Sequence, residues 1–294
     1  MLCDVKSESP RLLSFIDWTS CPDRFEEARF DSLRSFMLLA MFAHSGVLFA
    51  DGGVLGWYAR MVFAPLFLLS ALVGLRYAEL KSRCLILTLA VTSLWLFLAW
   101  PNFANHLFLE WSILVFLTVC RDDERLGLSG LRWLVAIVFF YTGFQKLVMG
   151  QYFEGQFLLV RVATSPKFRA FFEYLMPEEE VARLVEMGGQ FGTGPYATHD
   201  VLFLMISNSV WIGEMGVAVL LVFSKWRKLA IFAGILLVSG IELGARELVF
   251  GCLFTLLLLI FYPGRNAIAL WPAFVVVQLL SVLTRLVSPD LRFN

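Results

Sequence analysis

Apolar runs long enough to cross a bilayer recur along most of this chain, and that recurrence constrains its fold more than any motif. They occupy roughly residues 32–50, 59–77, 84–100, 103–120, 133–149, 201–223, 229–245, 248–262 and 267–287. A helix of about 20 apolar residues spans the hydrocarbon layer, and tilt accommodates runs that deviate a little from that length. With no water to bond to in hydrocarbon, each segment must satisfy its own backbone, so such runs become helices. Composition agrees: 59% of the 294 residues are hydrophobic and only 16% charged, against about half and a quarter in soluble domains. The sequence therefore predicts an all-α polytopic membrane protein. Its expected architecture is a bundle of about nine transmembrane helices, one for each run.

Basic residues orient the bundle, because short cytoplasmic loops collect Lys and Arg. The N-terminal segment carries Lys6, Arg11, Arg24, Arg29 and Arg34. Arg76, Lys81 and Arg83 follow the second run, Arg121, Arg125 and Arg132 precede the fifth, and Lys225, Arg227 and Lys228 precede the seventh. The loops around Asp51 and Pro101, between these groups, are poor in base. The alternation predicts an integral membrane protein with a cytoplasmic N-terminus and an external C-terminus.

Three regions follow. Residues 1–30 form a cytoplasmic segment, in which 10–18 is weakly amphipathic and suits a membrane surface. Residues 31–262 form the main transmembrane domain, and 263–294 a last helix with an external tail. The one long connection, 150–200, falls outside. Within it, Ser165-Pro166 signals a helix start, with Phe168, Phe171, Phe172 and Leu175 on one face. Pro177-Glu-Glu-Glu180 opens a second short helix. Both are expected to be amphipathic helices over the extracytoplasmic mouth, and so long a connection suggests function.

A formal net charge of zero gives no reason to expect a nucleic-acid partner. The five cysteines include no C-x-x-C and the three histidines no H-x-x-x-H, so no metal is expected. The polar N-terminus lacks the apolar core of a cleavable signal peptide.

Polar residues within the runs gather toward the outer side. Asn102, Asn105, His106 and Glu110 open the fourth run; His106 and Glu110, four apart, share a helix face. Lys146 closes the fifth run, following Tyr141 and Gln145. Glu242 and Arg246 are four apart at the outer end of the seventh, and Glu214 sits deeper, near the middle of the sixth. Each has a plain structural reading. Lys146 could be an interfacial anchor, Asn105 and His106 a helix cap, Glu242 with Arg246 an ion pair, and Glu214 a protonated or paired acid. Their convergence favours a site with Lys146, His106, Asn105 and Glu242 as its catalytic groups. Tyr141, Gln145, Glu110, Glu214 and Arg246 would line the pocket. A lysine in a dry site serves as a base near neutral pH, and Asn and His beside it orient a hydroxyl or stabilise an oxyanion.

Three stretches resemble the membrane domain of vitamin K-dependent gamma-glutamyl carboxylase and its bacterial HTTM (horizontally transferred transmembrane) relatives. Trp100-Pro-Asn-Phe-Ala-Asn105-His106 is similar to that family's Trp-x-Asn-His stretch. Tyr141-Thr-Gly-Phe-Gln-Lys146-Leu, followed by Phe153-Glu154-Gly155, resembles its Ala-Gly-x-Lys-Lys-Leu…Trp-x-x-Gly block. The segment from Glu214 through Phe250-Gly-Cys-Leu-Phe254 echoes a later acidic and Leu-Phe run. The likeness covers about residues 30–262. It implies that Lys146 deprotonates a reduced quinone of the vitamin K or menaquinol type, with Asn105 and His106 positioning it. It also implies membrane lipid, a secreted peptide substrate and a quinone reductase as partners, in a bacterial cell membrane. The family's later histidine falls near Glu242 here, and no counterpart of its lumenal propeptide-binding domain is expected, so carboxylation of a protein glutamate does not carry over.

The leading expectation is thus a membrane enzyme with lysine-base, quinol-coupled chemistry at the extracytoplasmic face on a peptide or lipid. A second is a maturation factor for a secreted peptide toxin of the sporulation-delaying type, which predicts a small secreted precursor encoded nearby. The third is a non-enzymatic scaffold or carrier, in which Lys146→Met is tolerated because a snorkelling cation is cheap to lose.

Overall fold

The computed structural model describes residues 26–51, 55–101, 105–188, 196–245 and 248–262. The amphipathic segment 10–18, the ninth run at 267–287, the tail after it and Arg246 lie outside the described residues. All regular elements among the described residues are helices. They are α1 (Glu26–Asp51), α2 (Ala64–Arg76), α3 (Lys81–Ala99), α4 (Asn105–Val119), α5 (Glu124–Met149) and α6 (Gln156–Thr164). There follow α7 (Pro166–Phe172), α8 (Glu178–Gly188), α9 (Val201–Val222), α10 (Arg227–Ala245) and α11 (Leu248–Leu259).

Eight of the nine apolar runs thus coincide with helices. Five stretches among the described residues are long and apolar enough to cross a membrane: Ala28–Phe49, Ala59–Arg76, Ala78–Ala99, Glu124–Met149 and Val201–Val222. Leu107–Val119 is a shorter apolar helix. A chain with five such helices is a membrane protein; the expected count of nine includes the run at 267–287, which lies outside the described residues.

Local chemistry explains several boundaries. Ahead of α2, residues Ala59–Phe63 form a π turn in which the Ala64 N–H bonds five residues back to the Ala59 carbonyl. Pro65 follows at once; it lacks an N–H and its ring crowds the carbonyl four residues earlier, so the wider turn relieves the first part of the helix. The fifth run was expected to begin at 133, but α5 starts at Glu124, where the Asp123 carboxylate accepts from the Leu126 N–H. The charges at 124–132 make these turns read as loop. Inside the helix, Leu128, Leu131 and Arg132 are buried, and Arg132 donates to the Ile260 carbonyl beyond α11. At its other end α5 stops on Gly150, whose φ of 69° is left-handed.

Helices adjacent in sequence pack in pairs: α1 on α2, α2 on α3, α3 on α4, α9 on α10, and α10 on α11. The most extensive contact joins α5 to α9. Between α2 and α3, the Ser70 and Thr88 hydroxyls bond each other at 2.6 Å, and Ser70 also donates to the Cys84 carbonyl. One hydrophobic core runs through the bundle.

A second hydrophobic cluster is built by α6, α7, α8 and the first half of α9. Helix α6 was not expected from sequence. α7 begins at the expected Pro166, but Ser165 makes no side-chain cap bond. Phe168, Phe171, Phe172 and Leu175 all join the cluster, as their shared face required. The first turn of α8 carries Glu178, Glu179 and Glu180, where helix-end charge favours them.

Candidate functional site

The seam between α5 and α9 is unusually close because α5 presents Gly143. A Cβ at that position would lie 2.9 Å from the Trp211 carbonyl oxygen and 2.7 Å from the Met215 side chain. Absence of a side chain lets the two backbones approach, as small residues do between membrane helices. One turn further along α5, Lys146 then reaches across to α9. Its Nζ lies 2.7 Å from each carboxylate oxygen of Glu214.

Glu214 is only 7% exposed and Lys146 22%. The pair is therefore largely withdrawn from solvent, with the lysine as its open side. Thr142, whose hydroxyl donates back to the Val138 carbonyl, faces the same carboxylate. On the other flank lies Tyr152, with Lys146 Nζ 5.7 Å from its ring centroid, a cation–π distance. Tyr152 is buried and its ring stacks on Phe157. Burial, and then the neighbouring Glu214 carboxylate, push the Tyr152 phenol well above its ordinary range, with Arg161 opposing. It stays a protonated hydroxyl.

Helix α9 fixes this arrangement with one face. Ser207 Oγ donates to the Tyr152 carbonyl at 2.8 Å, and Asn208 Nδ2 to the Phe153 carbonyl at 3.1 Å. Trp211 Nε1 donates to Asn208 Oδ1 and its ring meets Phe153 edge-on. Residues 207, 208, 211, 214 and 215 follow helical spacing, so one stripe of α9 holds the 150–155 turn, Gly143 and Lys146 together.

Gly143 lies against Trp211 and Met215, so Glu214 is level with the turn of α5 that precedes Lys146, and the lysine side chain reaches back along the seam to meet it. The first half of α9 continues past the end of α5 into the α6–α8 cluster.

Glu110 also finds a partner, on another helix. His44 Nδ1 of α1 lies 3.1 Å from Glu110 Oε2 of α4. His44 stacks on Phe67 and lies 5.1 Å from Trp95 by ring centroids. Tyr141 and Gln145 are exposed on α5. The side chains of Asn105, His106 and Glu242 lie outside the described residues, as does the whole of Arg246. The expected cluster is thus described as two pairs on different helices.

Sequence reasoning passed over His44, Tyr152, Ser207 and Asn208. The last two were findable: with Trp211 and Glu214 they form a polar stripe at helical spacing in an otherwise apolar run. Compared with protein-family models, with curated proteins and with solved structures, the chain has no match in any of the three.

Proposed function

We propose that this protein is a membrane enzyme of the carboxylase-like kind, in which Lys146 is a base acting at the extracytoplasmic end of α5. The observation that supports the reading is the half-open Lys146–Glu214 pair, with a buried phenol beside it. A lysine used only as an anchor would extend to the interface, whereas this one turns inward to a carboxylate.

The pair solves a problem that a solitary buried lysine has. In a low-dielectric site the proton shared between amine and carboxylate can sit on either, because both arrangements have zero net charge. With the proton on Glu214, the Lys146 amine is free to accept one from a substrate hydroxyl. Glu214 then carries its own proton, and Lys146 becomes the cation that stabilises the new anion. The Tyr152 hydroxyl remains a donor throughout.

The donor set fits a hydroxyl-bearing aromatic molecule: an amine on its partly exposed side, with Tyr152, Phe153 and Trp211 as aromatic neighbours. A reduced quinone, when bound, would supply an acidic hydroxyl and an oxygen-reactive ring. Asn105 and His106 begin α4 and are proposed by resemblance to position it, with Glu242 of α10 proposed as a further catalytic group. The nine-crossing topology, and α6–α8 lying over the outer mouth, belong to the same proposal. A secreted peptide is the substrate that α6–α8 favour, since they form a core of their own around the top of α9.

The test is oxygen-dependent consumption of added menaquinol by the purified protein in lipid. Lys146→Ala should remove it while membrane insertion persists, and unchanged turnover in that variant would sink the proposal.

A further inference from the structure

A carboxylate oxygen sealed among apolar side chains carries a second site. Glu110 is fully buried, and while its Oε2 faces His44 Nδ1, its Oε1 has no hydrogen-bond partner among the described residues. A buried acceptor left unsatisfied is costly, and ionisable groups at membrane depth are commonly retained for function. The site shares no residue with the Lys146–Glu214 pair and does not depend on the reading given above.

Among the described residues, the neighbouring helices place no other charged side chain in an ion pair with Glu110. On α1, Ser45 Oγ donates to the Phe42 carbonyl, and Arg29 is buried at the opposite end. α2 contributes Phe67, with Ser70 committed to Cys84 and Thr88. On α3, Thr92 donates to the Thr88 carbonyl, and Trp95 flanks the imidazole. On α4, Trp111 donates to Ser93, and Ser112 to the Phe108 carbonyl. On α5, Arg132 bonds the Ile260 carbonyl and Lys146 bonds Glu214. Among the described residues, the ion pair of Glu110 is with His44. His106, one turn earlier on α4, is the remaining titratable neighbour by register, and its side chain lies outside the described residues.

We propose that His44 and Glu110 form a proton-binding site inside the helix bundle, with Glu110 Oε1 as the atom that receives the proton. His44 Nδ1 holds Oε2, so the imidazole fixes the carboxyl while the opposite oxygen stays available. A hydronium ion supplies the proton: one of its O–H bonds breaks, one O–H bond forms at Oε1, a neutral water is left, and the pair gains one positive charge. The enclosure sets the class of ligand. His44, Glu110, Phe67 and Trp95 are each at most 7% exposed, which suits a proton and the single water that delivers it rather than an organic molecule.

The experiment is pH-difference infrared spectroscopy of the full chain in lipid nanodiscs, in H2O and in D2O. As pH falls, a buried protonated-carboxyl band should grow, shift on deuteration, vanish in Glu110→Gln and survive in Glu214→Gln. Absence of such a band in the native protein overturns the proposal, and so does a band undiminished in Glu110→Gln. If Glu110→Gln does not assemble, Glu110→Asp is read instead: a displaced band supports the site, and an unmoved one overturns it.

Discussion

Gly143 and Trp211 meet backbone to backbone: a Cβ on the glycine would stand 2.9 Å from the tryptophan carbonyl oxygen and 3.0 Å from the Met215 nitrogen. Neither neighbour is the movable end of a side chain, so any larger residue must push α5 away from α9. Gly143→Ala is expected to cost about 1–3 kcal/mol, the usual range for overpacking, and Gly143→Leu more. Gly216 on α9 has nothing within 4 Å of the corresponding position, so Gly216→Ala is the matched control and should be near neutral. Denaturant or thermal unfolding of the purified variants in detergent reads the difference. Equal losses at the two glycines would show that the close seam is not what matters.

The same seam changes what a Lys146 substitution can reveal. Lys146→Met leaves the Glu214 carboxylate buried without its partner, and removal of one member of such a pair costs about 3–5 kcal/mol. The lysine keeps some exposure, so the lower end of that range is expected. A pure scaffold role therefore no longer predicts tolerance of Lys146→Met. The discriminating variant is Lys146→Met with Glu214→Gln, which removes both charges and should recover most of the stability. If the double variant is stable yet inactive toward menaquinol, Lys146 is chemical as well as structural. If it is as unstable as the single variant, the pair is not the source of the loss.

These pairs show where the sequence stops speaking. Helix positions were legible because hydrocarbon forces each long apolar run to satisfy its own backbone. Lys146 was legible because a cation near the end of such a run needs a reason. Glu214 was visible as a buried acid, but its partner was not, since nothing local says that α5 and α9 pack together or that Lys146 reaches back along their seam. His44 was invisible for a different reason. It lies alone among apolar residues of α1, its partner Glu110 is 66 positions away, and His106 offered a nearer match by helical spacing. Tyr152 was passed over because it lies in a turn, where burial depends on helices that pack over it later in the chain. Local periodicity reports which face is apolar; it does not report which two faces meet.

Two left-handed glycines bracket the turn that carries Tyr152, and they should respond differently. Gly150 has φ 69° with nothing closer than 3.7 Å to a built Cβ, whereas Gly155 has φ 70° and would meet Phe203 at 2.8 Å. Gly150→Ala therefore pays backbone strain alone, about 1 kcal/mol. Gly155→Ala adds a clash with a fully buried ring and should cost roughly twice that or more. Hydrogen exchange in the 152–164 segment should rise more for Gly155→Ala. Similar rises in both variants would mean that strain, not contact with Phe203, governs the turn.

Acid should loosen α8 through Glu180. Arg183 donates to both of its carboxylate oxygens, at 2.7 and 2.8 Å, and also to the Ala197 carbonyl. The hydrogen bonds from Arg183 hold the Glu180 carboxyl below its ordinary value, against the opposing push of burial. Its folded-state value is thus below the unfolded one. The resulting stabilisation is present above the unfolded value and is lost as pH falls through the folded one. Arg183 is 41% exposed, so solvent screening limits the contribution to about 0.5 kcal/mol. Amide exchange across 178–188, corrected for intrinsic rates, should therefore accelerate modestly in that acid window. Glu180→Gln should raise exchange at neutral pH and flatten the pH dependence, and an unchanged pH profile in that variant would assign the loosening to another acid.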